Sequence, residues 1–323
     1  MTRIKFGVKV NPDWYSFQTL TEICQAAEGL GYDTLWLADH LQPGQGDCLE
    51  AWTTIAALTG LTRRLKIGTL ATSVSFRNPA LLAKMVASLD VISGGRVVLG
   101  IGAGWMEEEY VAYGYDFPDS STRVRQLKEA LQVIDGLWTQ DRATFNGRYY
   151  SIKNAVCMPK PVQKPRPKIL VGITRGRKTL PYLAARYADG FNIGLRFPGG
   201  IPSLRFEDCK AIVESTRKHC ERYHRDWNHM TRSYQLPVLI GKNAVEVDRL
   251  VESASKKRRE LTGTNRKSAL ERGFFVGEPQ ECVQQIQPFI DIGMNDFPVI
   301  FYGYENPVQA MRTFRDDVIS HLR

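Results

Sequence analysis

A chain of 323 residues with 43% hydrophobic and 24% charged content holds enough apolar material for one large core or two modest ones, and none of its apolar runs approaches the roughly 18–20 residues of a membrane span. The opening MTRIKFGVKV goes straight into a strand-like pattern without a signal-peptide core, so a cytoplasmic protein with no membrane partner is expected. The net charge of +9 is spread along the chain with no zinc-finger, RNP or helix-turn-helix signature, which argues against nucleic acid and suits a small polyanionic ligand.

In chain order, strand-like runs fall at 4–10, 34–39, 65–72, 96–102, 168–174, 190–194, 233–241 and 296–303. Between them, helical spacing of apolar residues runs through FQTLTEICQAAEGLG, RQLKEALQVIDGLW and PQECVQQIQPFIDIG. Eight such units predict an α/β fold, a (β/α)8 TIM barrel with insertions, as a single domain over 1–323. The surplus over about 250 residues falls in two insertions. Residues 141–167 read as an Asn-Gly hairpin followed by a proline-rich connector, and residues 251–273 as a polar stretch. The six cysteines are scattered, with no C-x-x-C pair; free buried thiols and no metal site are expected.

A barrel directs attention to the ends of its strands, where active sites gather. After the second strand, Asp39 and His40 bring a carboxylate and an imidazole to the mouth. Such a pair is common acid-base equipment near neutral pH, and a mutually satisfied structural pair is the competing interpretation. After the third strand come the small hydroxyls Ser73 and Ser75, and Arg77, which reads as a structural ion-pair partner. GRVVLGIGAGWMEEEY, at 95–110, is not a dinucleotide fingerprint. Counting from Gly100, the sixth place of G-x-G-x-x-G holds Trp105, and the segment opens the fourth unit instead of the first. After the fifth strand, Gly172 and Gly176 followed by Arg177, Lys178 and Thr179 at a helix start form a candidate anion site without Walker A spacing.

LWLADH, GTLATSVSFRNPALLAKMVASLDVISGGR, LGIGAGWMEEEYVAYGYDFP, FNGRYYSI, PKPVQKPRPKILVG and RKTLPYLAARYADGFN together resemble the bacterial-luciferase-like superfamily, and within it the oxidoreductases that use the deazaflavin coenzyme F420. The resemblance implies hydride transfer between the ring's C5 and a small organic substrate, in a homodimer. It implies a ring at the barrel mouth, hydrogen-bonded by Asp39, contacted by Ser73 and backed by a non-prolyl cis peptide at Leu70–Ala71. Gly172, Ile173, Gly176, Arg177, Lys178 and Thr179 would hold the cofactor's phosphate. Ala103 and Gly104 would let the backbone approach the ring, and Trp105 would wall the substrate side. His40 is the expected proton donor or acceptor, with Glu108 as second catalytic candidate or ring ligand.

Departures from the family narrow the substrate. The F420-dependent glucose-6-phosphate dehydrogenases place a carboxylate where this chain has Trp105 and a tryptophan where it has Gly44, which argues against a sugar phosphate. Arg196 and the basic residues Lys256, Lys257, Arg258, Arg259, Arg266 and Lys267 either meet the cofactor's acidic tail or an anionic substrate, or form a solvated face. The insertion that carries the latter could also act as a lid. An FMN-dependent monooxygenase on the same barrel is the alternative, and a barrel that binds a flavin or deazaflavin without catalysis is a second.

Overall fold

The alternation of short apolar runs with amphipathic stretches closes into a ring of parallel strands in the computed structural model, which describes residues 3–44, 46–174, 176, 178–194, 206–257 and 261–322. The strands are β1 (Lys5–Val10), β2 (Thr34–Leu37), β3 (Lys66–Ser73), β4 (Val97–Gly102), β7 (Lys168–Ile173), β8 (Gly190–Ile193), the β9–β10 pair (Thr231–Tyr234 and Leu236–Ile240) and β12 (Asp296–Phe301), in that order around the ring. Pairing of Lys5–Val8 with Asp296–Val299 closes it. This is the expected TIM barrel, with the seventh run divided at Gln235. One strand was not foreseen: β11 (Phe275–Gly277) pairs with Val238–Ile240, and three residues are too few for periodicity to register.

The inserted hairpin is present as β5 (Ala143–Asn146) and β6 (Ser151–Ala155). Glu129, on helix α5 (Ser120–Thr139), accepts the N–H groups of Arg148, Tyr149 and Tyr150 at 2.8–3.1 Å and ties its turn down. The second insertion is less polar in the fold than its composition suggests. Val251, Ala254, Leu261 and Ala269 are buried with Phe274, Ile300 and Tyr302 in a satellite core against the last strand. Of its basic residues, Lys256 pairs with Glu252 at 2.6 Å and Arg266 pairs with Glu281, so these two are spent on helix-surface ion pairs. All six cysteines are free thiols, five of them buried. No described helix is long and apolar enough to cross a membrane.

Inside the barrel, Trp36, Leu70, Val98 and Leu170 form an apolar plug. Gly68 makes room for it: a Cβ there would fall on the Val98 carbonyl and lie 3.2 Å from the Trp36 ring. At the opposite end from the strand C-termini, Asp296 is buried near Lys5, Asp33 and Lys66. Burial pushes its carboxyl up to about 6, against the pull of Ser233 and the two lysines. Because the folded state holds this proton more tightly than the unfolded chain, stability falls as pH rises from about 4 to about 6. Asp296→Asn is therefore expected to stabilise the protein by about 1–3 kcal/mol at pH 7 and by nothing at pH 4. Urea midpoints at the two pH values check this, and a loss of stability at pH 7 would contradict it.

Candidate active site

The strand C-termini open into a cavity of about 1260 Å³, and most of the residues singled out in the sequence border it. At one place on each of three adjacent strands almost no side chain enters it: Ala71 on β3, Gly102 on β4 and Gly172 on β7, with Leu70, Thr72 and Ser73 of β3 also bordering the cavity. These glycines differ from Gly68 and Gly100, where a Cβ would strike a backbone carbonyl. A Cβ on Gly102 would have one neighbour, the Ala71 Cβ at 3.8 Å, and one on Gly172 would come no closer than 3.5 Å to anything. Protein packing does not require glycine at either position, so the space is left to the cavity. The result is a smooth wall for a flat ring. The Leu70–Ala71 peptide in this wall is cis.

His40 follows β2 and borders the cavity, but its partner is not Asp39. Its Nδ1 lies 2.9 Å from Oε2 of Glu109, while Oε1 of Glu109 accepts the N–H groups of Leu41 and Gln42 at 2.8 Å each. Burial by itself would raise the Glu109 carboxyl. The His40 ring and the two backbone donors outweigh that and hold it below the ordinary carboxylate range. An ionised Glu109 accepts, so Nδ1 carries a proton. Trp105 stands edge-on to the imidazole, with ring centroids 6.0 Å apart.

Glu109 was missed in the sequence because helix α4 (Glu107–Ala112) begins with three consecutive glutamates, and successive helical residues point about 100° apart. Glu107 and Glu108 border the cavity exposed, whereas Glu109 is 2% exposed. The candidate carboxylate Glu108 thus sits at the rim, and its neighbour holds the histidine.

Asp39 faces the other way. Arg77 grips it with two hydrogen bonds, Nη1 to Oδ2 at 2.7 Å and Nη2 to Oδ1 at 2.9 Å, and also reaches Glu50. The structural role expected for Arg77 is what the geometry shows. Burial raises the Asp39 carboxyl against the pull of Arg77. The Ser73 N–H donates to Oδ2 at 3.3 Å, which leaves Oδ1 an acceptor position. The Ser73 hydroxyl bonds the Tyr110 hydroxyl, directly beneath Gly104. Gly104 has φ +76°, and a Cβ there would fall on the Tyr110 hydroxyl and 2.6 Å from Ser73 Oγ. Gly104→Ala is expected to cost about 2–4 kcal/mol in chemical denaturation, combining left-handed strain with overpacking. A change below 1 kcal/mol, by the ~1 kcal/mol scale of ordinary substitutions, would count against this packing.

Gly172 on β7 and Thr174 just after it border the cavity, and Gly176 has φ +89°. Helix α6 (Thr179–Tyr187) starts at Lys178 with no side-chain cap on its first turn, and Lys178 and Thr179 are exposed there. Ile173 is buried in the core, so only its backbone is available to a ligand. Arg177, Arg196, Arg258 and Arg259 lie outside the described residues. Sequence reasoning also passed over Lys9, Asn192 and Gln235, which border the cavity. Gln235 Nε2 donates to Asn192 Oδ1 at 2.9 Å, and Asn192 Nδ2 donates to Ser233 at 2.8 Å. Polar residues inside strand patterns carry no sequence signal that separates a barrel floor from a solvent face.

A family model described as luciferase-like monooxygenase matches residues 2–296. An F420-dependent glucose-6-phosphate dehydrogenase of Amycolatopsis mediterranei is 28% identical over 338 residues, covering 99% of both chains. One from Microbacterium testaceum is 28% identical over 347 residues, covering 99% of this chain and 98% of its own. Among solved structures, an F420-dependent secondary alcohol dehydrogenase in complex with an F420-acetone adduct superposes with a TM-score of 0.82 at 19% identity, over 98% of this chain and 99% of that one. Monooxygenase RslO1 from Streptomyces bottropensis superposes with a TM-score of 0.84 at 22% identity, over 99% and 100%.

Proposed function

The chain belongs to the luciferase-like monooxygenase family, and from that premise we propose that it is an F420-dependent oxidoreductase acting on a small organic substrate. The observation that carries this reading is a histidine held through Nδ1 by an ionised glutamate, on the same cavity as a side-chain-free wall. A proton acceptor beside a place for a flat ring is the equipment of a dehydrogenase, and both relatives described above are F420-dependent dehydrogenases.

The residues present fit that cofactor. Ala71, Gly102 and Gly172 leave room for a ring face, the Ser73–Tyr110 hydroxyl pair borders the same cavity, and the open first turn of α6 with Lys178 and Thr179 suits a phosphate. When bound, F420 supplies a carbon that exchanges hydride. The chain's own part is proton transfer and position. Nε2 of His40 takes a proton from a substrate hydroxyl or returns one to a carbonyl, and Glu109 fixes the tautomer and stabilises the imidazolium that results. Trp105, edge-on to His40, shapes the substrate side, where the glucose-6-phosphate dehydrogenases carry a carboxylate; we therefore assign a substrate other than glucose 6-phosphate.

Titrations with F420 and with FMN, followed by exposure of the loaded protein to panels of alcohols and carbonyl compounds, test the assignment. F420 binding and substrate-dependent loss of its visible absorbance are expected. FMN binding without F420 binding would overturn it.

A further inference from the structure

Strand order divides the cavity into two unlike halves. Counted around the ring, the side-chain-free wall occupies β3, β4 and β7, and the strands facing it across the barrel are β9–β10, β12 and β1. These contribute Gln235, Ile300 and Lys9 to the cavity. Alternate residues of a strand share a face. On β1, a Cβ added to Gly7 would lie 2.9 Å from the Trp36 indole nitrogen, so the row Gly7–Lys9 faces the barrel interior and Lys9 stands one step above the plug.

Lys9 is 9% exposed, yet its ammonium makes a single long hydrogen bond, 3.3 Å to Asn11 Oδ1, and forms no ion pair among the described residues. The carboxylates bordering the cavity do not supply one. Asp39 is taken by Arg77, Glu109 by His40, Glu107 and Glu108 are exposed at the rim, and Asp13 attracts Lys9 without closing to ion-pair distance. Burial lowers the Lys9 ammonium to about 8, so it remains mostly charged at neutral pH. A buried cation with donors to spare is costly unless something completes its coordination. Arg272 also borders the cavity, from the loop before β11.

We infer that the substrate carries a carboxylate, received by Lys9 across the cavity from the wall of Ala71, Gly102 and Gly172. This rests on the reading of the cavity as the F420-dependent site. One compact ammonium matches a single negative charge. A phosphate dianion would bring a second charge that the Lys9 ammonium by itself does not balance. Ile300, on the strand between those of Lys9 and Gln235, adds an apolar residue to this side of the cavity.

The test is a titration of the full chain, with and without F420, using benzoate, benzamide and phenyl phosphate, followed by the fluorescence of the cavity tryptophans Trp14 and Trp105. Benzoate is expected to bind at least about tenfold more tightly than benzamide and more tightly than phenyl phosphate, in line with the ~1.4 kcal/mol that such a factor represents. Lys9→Met should reduce the benzoate preference to within about twofold while F420 affinity holds, and Lys9→Arg should retain most of it. Should Lys9→Met not fold by circular dichroism, Lys9→Gln serves in its place. Equal binding of benzoate and benzamide, absence of binding by either, tighter binding of phenyl phosphate, or a preference that survives Lys9→Met each overturns the inference. Failure of F420 to bind is a separate result: it removes the proposed function, and the F420-free titration still reads the carboxylate preference.

Discussion

Replacing His40 by alanine is expected to lower turnover by about 10²–10⁴-fold, the usual contribution of a positioned acid-base group, while F420 affinity changes little. The imidazole is the group on the cavity whose Nδ1 is held by a buried carboxylate, and its loss leaves Nε2 with no substitute in the same place. Glu109→Gln tests the other half of the arrangement. Glutamine keeps a hydrogen-bonding side chain but removes the charge that stabilises an imidazolium, so a fall of about ten- to a hundredfold is expected, concentrated in kcat and shifted along the pH profile. Glu108→Gln, at the exposed rim, should change kcat by less than about threefold, since exposed groups away from the reacting atoms contribute little. These three rates, measured with the panel compound that the wild-type enzyme turns over, decide which glutamate serves the site. An order in which Glu108→Gln is crippled and Glu109→Gln is not would return the second catalytic role to Glu108. Full activity of His40→Ala would remove the proton-transfer assignment altogether.

The second large effect concerns the wall. Gly172→Val is expected to weaken F420 binding by at least about a hundredfold, equivalent to ~2.7 kcal/mol, and to leave the thermal midpoint within a few degrees. The argument is that a Cβ at this position meets only ordinary van der Waals contacts, 3.5 Å from Ala71 Cβ and 3.7 Å from the Ile101 carbonyl oxygen, so the fold accommodates it. The two further methyl groups then occupy the space on which a ring would lie. Gly172→Ala should fall between. Gly100→Val is the control with the opposite signature, because a Cβ there would strike the Thr69 carbonyl within the barrel wall and should destabilise the protein before any ligand is considered. If Gly172→Val binds F420 as the wild type does, the side-chain-free wall is not where the cofactor lies.

The barrel was legible in the sequence because most strands are short runs dominated by apolar residues and each long helix has a buried stripe, both of which are local patterns. The same locality placed Asp39, His40, Ser73, Gly104, Trp105 and Gly172 at the mouth, since each follows or ends a strand. What each of these residues does there was not a local matter. Asp39 and His40 are neighbours in the chain, but they leave β2 in different directions, one to Arg77 on the loop before helix α3 (Pro79–Ser93) and one to Glu109 on α4. Among three consecutive glutamates, the packing of α4 against the 40–42 segment selects the third.

Gly68, Gly100, Gly102 and Gly172 look alike as letters, and only their neighbours on nearby strands distinguish the two that make room for packing from the two that leave room for a ligand. Lys9 reads as an ordinary lysine in a strand until the closing of β1 onto β12 turns its side chain inward and buries it. The sequence by itself determined the fold class and the height in the barrel at which chemistry occurs, because backbone periodicity and strand ends are short-range properties. Partnership, burial and charge compensation arise between residues tens to hundreds of positions apart, and only ring closure brings them within hydrogen-bonding distance.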